Sequence, residues 1–142
     1  MQRDAGLSGY RLMILGSNFG GAGSDWDRKA IGIGIRMTNT MTFAEVLAVA
    51  GHELGHMYRH EHPDSPFVGP ITPGLSAKRE AEIEADRLGA CLTGDVAATI
   101  GSLRHGGVTL DPSLPADLRI AAVQSMPSIK CPIGKGWSRG GN

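Results

Sequence analysis

The chain has 142 residues, with 14 Lys plus Arg against 14 Asp plus Glu, 21 glycines and only two cysteines. That length suits one domain, 1–142, able to bury a hydrophobic core without disulfide support, and the zero net charge argues against nucleic acid or an anionic membrane as the main partner. No apolar run approaches the roughly 20 residues that span a bilayer, and no apolar stretch follows Met1-Gln-Arg-Asp to make a signal peptide, so the chain as given reads as soluble, with no compartment specified.

Glycine is about twice as frequent as the usual ~7%. Most of it falls between predicted elements or in the tails, about 1–9 and 132–142, which read as loosely ordered. Residues 10–16 are short and apolar and predict a strand. Ser17 to Asp27 is rich in Gly, Ser, Asn and Asp and reads as a loop; no Gly-Lys-Ser/Thr follows, so it is not a phosphate-binding loop. In 30–38, Ile31, Ile33, Ile35 and Met37 alternate with Gly32, Gly34 and Arg36, the period of a strand with one apolar and one nearly bare face. This strand is either an edge that pairs with an extended peptide or an ordinary core strand.

A helix is predicted from Thr42, whose spacing to Glu45 fits a capping box, through about Arg59, with Val46, Leu47, Ala50, Leu54 and Met57 at helical spacing. His62-Pro63 ends it, and 63–76 is a Pro/Gly/Ser loop. A second helix runs from Ser76 to about Leu92, broken by Thr93-Gly94-Asp95. A third spans about 95–104 and closes at Gly106-Gly107, and a fourth covers about 116–125 after the Pro112–Pro115 turn. Together these predict a small α+β single domain, mainly helical. Cys91, in the second helix, reads as a small buried apolar residue; a bridge to Cys131 is also compatible with the sequence.

The first long helix carries His52-Glu53-Leu54-Gly55-His56. Residues i and i+4 share a helix face, so both imidazoles can reach one metal ion, with Glu53 beside them to take a proton from a metal-activated water. A catalytic zinc site usually takes three protein ligands. The second long helix offers Glu82 as the third. Asp86, one turn on, is placed to accept the other ring N–H of His52 or His56. Ala85 and Gly89 on that face, with Gly51 and Gly55 opposite, let the two helices approach closely. Glu80 and Glu84 read as a solvated face paired with Lys78, Arg79 or Arg87.

His52-Glu-Leu-Gly-His56 followed by Glu82-Ile-Glu-Ala-Asp86 resembles the gluzincin pattern H-E-x-x-H…E-x-x-A-D. It is most similar to the zinc endopeptidase family of the CAAX-prenyl protease and HtpX-like proteases, with the ImmA/IrrE-like peptidases as a close neighbour. A third segment, Asp111-Pro112…Arg119-Ile120, is similar to that family's His-Pro…Arg-Ile, with Asp111 in place of His. The resemblance covers about 30–125. It implies a zincin-like fold in which strands at about 10–16 and 30–38 lie against an active-site helix and a ligand helix. It also implies one Zn²⁺, a peptide or protein substrate and Glu53 as general base. Arg119, His105 and Tyr58 are candidate donors to a developing oxyanion, and the resemblance favours Arg119. The family is often membrane-associated, which this chain does not display.

Two other readings stay open. His62 stands six residues after His56, the spacing of a metzincin's third His, with Met126 as a crude Met-turn; but Arg59 occupies the position where that motif turns sharply on Gly. His60 and His62 also fit a polar helix end. Alternatively the chain is a metal-binding interaction or regulatory module without turnover.

Overall fold

The computed structural model describes residues 9–16, 20–64, 71–105 and 114–125. Gly106-Gly107, the Asp111-Pro112 segment, Met126, Cys131 and nearly all of both tails lie outside them. Three strands, β1 (Arg11–Leu15), β2 (Ala22–Asp25) and β3 (Ala30–Gly34), form one sheet in the order β1-β3-β2. β1 runs parallel to β3 with Leu12 opposite Ile31 and Ile14 opposite Ile33, and β2 runs antiparallel with Asp25 opposite Ala30.

β3 is therefore the central strand, and the edge role considered for residues 31–37 is corrected. Its alternation has the expected meaning: Ile31 and Ile33 are buried, and a Cβ on Gly32 would lie 2.4 Å from Leu15 Cδ1, so a neighbouring side chain fills its bare face. The strand stops at Gly34. A short helix, α1 (Ile35–Thr40), follows where strand was expected to continue to residue 38. The pattern there is ambiguous, because Ile33, Met37 and Met41 also repeat every four residues, and Met37 and Met41 are buried.

β2 falls where loop is expected, because Ala-Gly-Ser-Asp has no strand propensity of its own. It is made a strand by pairing with β3 across a turn at 26–29. In that turn Asp25 Oδ1 accepts from Arg28 N (3.1 Å), and Lys29 adopts the left-handed conformation, φ 49°.

Four helices complete the domain: α2 (Phe43–Glu61), α3 (Ala77–Thr93), α4 (Val96–Arg104) and α5 (Ala116–Gln124). All lie within a few residues of the expected spans. The capping box of α2 is present, with Glu45 N donating to Thr42 Oγ1 (3.2 Å) and Thr42 N to Glu45 Oε2 (3.0 Å). Ser76 caps α3, and Gly94, φ 65°, ends it in the left-handed conformation. Asp95 caps α4 through Ala98 N (2.9 Å).

α2 packs along α3, with α4 and the sheet on its other sides. Ile31, Ile33, Val49, Leu54, Met57, Leu88, Leu92 and Val123 fill the space between. The far end of α2 is latched to the sheet: the Tyr10 hydroxyl donates to Glu61, Lys29 Nζ lies 3.6 Å from Glu61, and the Trp26 ring stacks on His60 at 4.3 Å. Cys91 is buried as expected, and it is disulfide-bonded. No helix among the described residues is long and apolar enough to cross a membrane.

Candidate metal centre

The site is built where α2 and α3 touch through their backbones. A Cβ on Gly89 would sit 2.7 Å from His52 N, one on Gly55 2.8 Å from Ala85 O, and one on Gly51 3.0 Å from Gly89 O. At Gly89 and Gly55 real Cβ atoms do not come this close to backbone, so glycine permits the approach there, and the Gly51 contact is tighter than most. The contact turns Glu82 and Asp86 of α3 toward the two histidines of α2.

His52 and His56 stand one turn apart with rings nearly perpendicular (87°) and Nε2 atoms 3.1 Å from each other. Glu82 straddles them: Oε2 lies 3.3 Å from His52 Nε2 and Oε1 3.4 Å from His56 Nε2. Among the described residues these three form the group able to hold a metal ion. A tetrahedral Zn²⁺ with ligands at about 2.0–2.1 Å sets neighbouring donor atoms about 3.4 Å apart. The two Nε2 atoms are close to that edge length, each faces a different oxygen of Glu82, and one donor atom from each residue lies within 4.8 Å of the other two, so the set could hold such an ion. His52 is buried, whereas His56 and Glu82 are partly exposed, which leaves an approach from solvent on their side.

The next layer orients the first. His52 Nδ1 lies 2.8 Å from Asp86 Oδ1 and donates to it, which leaves the Nε2 lone pair for the metal position. Arg119 of α5 grips the same carboxylate with Nε to Oδ2 (2.6 Å) and Nη2 to Oδ1 (2.7 Å). Burial disfavours a charged His52, but its hydrogen bonds to Asp86 and Glu82 and the surrounding negative charges outweigh this and raise its pKa to about 9. Burial would raise Glu82, yet hydrogen bonding to His52 and His56 holds its carboxyl far below the usual range. Asp86 is likewise lowered, burial being outweighed by Arg119 and His52. In the metal-free protein, then, a proton on His52 partly answers an excess of carboxylate that a divalent cation would answer better.

Glu53 is buried next to His52, close enough to act electrostatically on both His52 and Arg119, and it accepts no hydrogen bond from any described residue. Its carboxylate is thus uncommitted, as a proton acceptor must be.

The other candidates are engaged elsewhere. His62 caps the C-terminus of α2, its Nδ1 on Tyr58 O (3.1 Å) and its ring stacked on Tyr58, and it is not in the metal-holding group. α2 continues unbroken through Arg59, so the sharp turn a metzincin needs is missing there. His105 binds Glu45 Oε2 (3.1 Å) at the opposite end of α2. Arg119 is wholly buried and cannot touch a substrate, which corrects its expected oxyanion role. Glu80 and Glu84 are buried rather than solvated: Glu80 accepts from Thr72 N (2.6 Å) and Glu84 pairs with Arg59 across the helix interface. Nothing in the local pattern around Leu118-Arg119-Ile120 signals a clamp on Asp86, because that contact joins residues 33 apart.

No family model, no curated protein and no solved structure matches the chain.

Proposed function

We propose that the chain is a zinc-dependent metalloendopeptidase of gluzincin type, similar to the CAAX-prenyl protease and HtpX-like family. The observation that carries this reading is the convergence of His52, His56 and Glu82, with the two Nε2 atoms 3.1 Å apart and each 3.3–3.4 Å from a different oxygen of Glu82, beside an uncommitted Glu53. Zn²⁺, held by those three residues, would supply Lewis-acid activation of water and of the scissile carbonyl. Glu53 accepts the proton of the attacking water and returns it to the leaving amine. Asp86 keeps the Nδ1 proton of His52 in place, so that Nε2 would be free to hold the ion. The outer edge of β2 has no strand partner among the described residues, and β2 lies against α2, so an extended peptide can add to the sheet there.

The experiment is cleavage of a quenched-peptide library by the zinc-loaded protein and by Glu53→Gln, with a chelator control. The wild type should cleave in a chelator-sensitive way, and Glu53→Gln should keep zinc and lose hydrolysis. Equal rates in the two proteins refute the assignment of the base. Tight zinc with no cleavage of any peptide would identify a metal-binding module instead.

A further inference from the structure

Arg119 is the largest fully buried side chain among the described residues. A buried ion pair is on balance no more stabilising than a well-packed apolar pair of the same volume. This one also leaves Nη1 buried without a hydrogen-bond partner. What distinguishes it is its target. Asp86 Oδ1 receives both Arg119 Nη2 (2.7 Å) and His52 Nδ1 (2.8 Å), while Oδ2 receives Arg119 Nε (2.6 Å). The planar fork engages both carboxylate oxygens, so the carboxylate cannot rotate about its own axis. The oxygen that orients His52 is the one the guanidinium holds. Nη2 lies 3.9 Å from Glu82 Oε2, beyond hydrogen-bond reach, so its hold on the candidate ligands runs through Asp86.

From this geometry we infer that Arg119 is a positioning residue of the metal centre: through Asp86 it fixes the His52 ring with Nδ1–H turned inward and Nε2 presented to the cation. The inference rests on the proposed zinc site for its effect on affinity, but the clamp itself acts in the metal-free protein. Lysine cannot replace it, because an ammonium offers no fork to span two oxygens.

The test uses the full chain with Arg119→Lys, Asp86→Asn and the double variant. Two quantities are read: zinc affinity by competition with a chromogenic chelator, and the exchange rate of the hydrogen-bonded His52 Nδ1–H proton in metal-free protein by NMR. Arg119→Lys should weaken zinc about 10- to 100-fold, the range typical when the residue behind a ligand is lost, and should speed exchange at least about tenfold. Because Arg119 acts through Asp86, the double variant should bind zinc no more weakly than Asp86→Asn alone. Unchanged affinity and exchange in Arg119→Lys overturn the inference, as do additive losses in the double variant. If Arg119→Lys does not fold, Arg119→Met with Asp86→Asn leaves no uncompensated buried charge. It is then compared with Asp86→Asn, with equal zinc affinity expected and further weakening counting against the clamp. Should the wild type hold no zinc, the functional proposal fails, while the His52 proton still decides the role of Arg119.

Discussion

Gly89→Ala tests whether the helix contact, rather than the ligands alone, makes the site. A Cβ there meets His52 N at 2.7 Å, Gly51 C at 2.8 Å and His52 Cα at 3.0 Å, all backbone atoms that cannot swing aside. Ordinary contact begins at 3.4 Å, so α3 must retreat by the difference from 2.7 Å, about 0.7 Å. Asp86 lies one turn from Gly89 and Glu82 two turns, so both move with it. Separations of 3.3–3.4 Å between Glu82 and the histidines would widen toward about 4 Å. Metal–ligand distances tolerate only about 0.2 Å. Overpacking costs about 1–3 kcal/mol, and the better helix propensity of Ala returns about 1 kcal/mol. The metal-free variant should therefore melt only modestly below wild type, with zinc affinity down about 100-fold. Chelator competition and a circular dichroism melt read both. Gly101→Ala is the control, since its Cβ meets the end of the flexible Glu45 side chain and α4 carries no ligand. Wild-type zinc affinity in Gly89→Ala would refute the argument that this backbone contact sets the ligand geometry.

Glu82→Ala should abolish stoichiometric zinc, measured by metal analysis after gel filtration, while His62→Ala should leave it unchanged; the reverse pattern would restore the metzincin ligand set. Burial notwithstanding, Asp86 and Glu82 raise the His52 pKa to about 9, and zinc uptake must displace the extra ring proton, so affinity should weaken about tenfold per pH unit below that value, and a flat calorimetric profile from pH 6 to 8 would contradict it. In the metal-free protein this raised pKa contributes stability that is fully present below 6.5 and lost as pH rises through about 9, on the order of 3 kcal/mol. Urea melts at pH 6 and 9.5 should show that sign. Thr42→Ala removes the capping-box acceptor of Glu45 N and should cost about 0.5–2 kcal/mol in urea denaturation, with zinc affinity unaffected.

The helices were legible because their signals are local. Thr42 with Glu45, Ser76, and Gly94 each act within a few residues, and the His52/His56 and Glu82/Asp86 pairs follow from helical period alone. The small residues on both faces even indicated which helices meet. What stayed hidden depends on partners distant in sequence. β2 is a strand only because β3 lies beside it, and β3 is central only because β1 pairs on its other side. Glu84 looked like a surface acid until Arg59, 25 residues away, was seen against it. The resemblance places Arg119 near the site, yet its contact with Asp86 depends on burial, which composition and spacing do not encode. The candidate ligands were readable from sequence, and the buried contact of Arg119 with Asp86 behind them was not.

That division has a consequence for the order in which the molecule matures. α2 and α3 contain all three candidate ligands and Asp86, but the guanidinium that steadies Asp86 arrives with α5. During synthesis the earlier helices leave the ribosome first. A nascent chain ending before Ala116 would already hold every candidate donor atom while Asp86 lacked its counter-charge, so on the proposed reading a firm grip on a cation belongs to the finished domain and not to the helical hairpin within it.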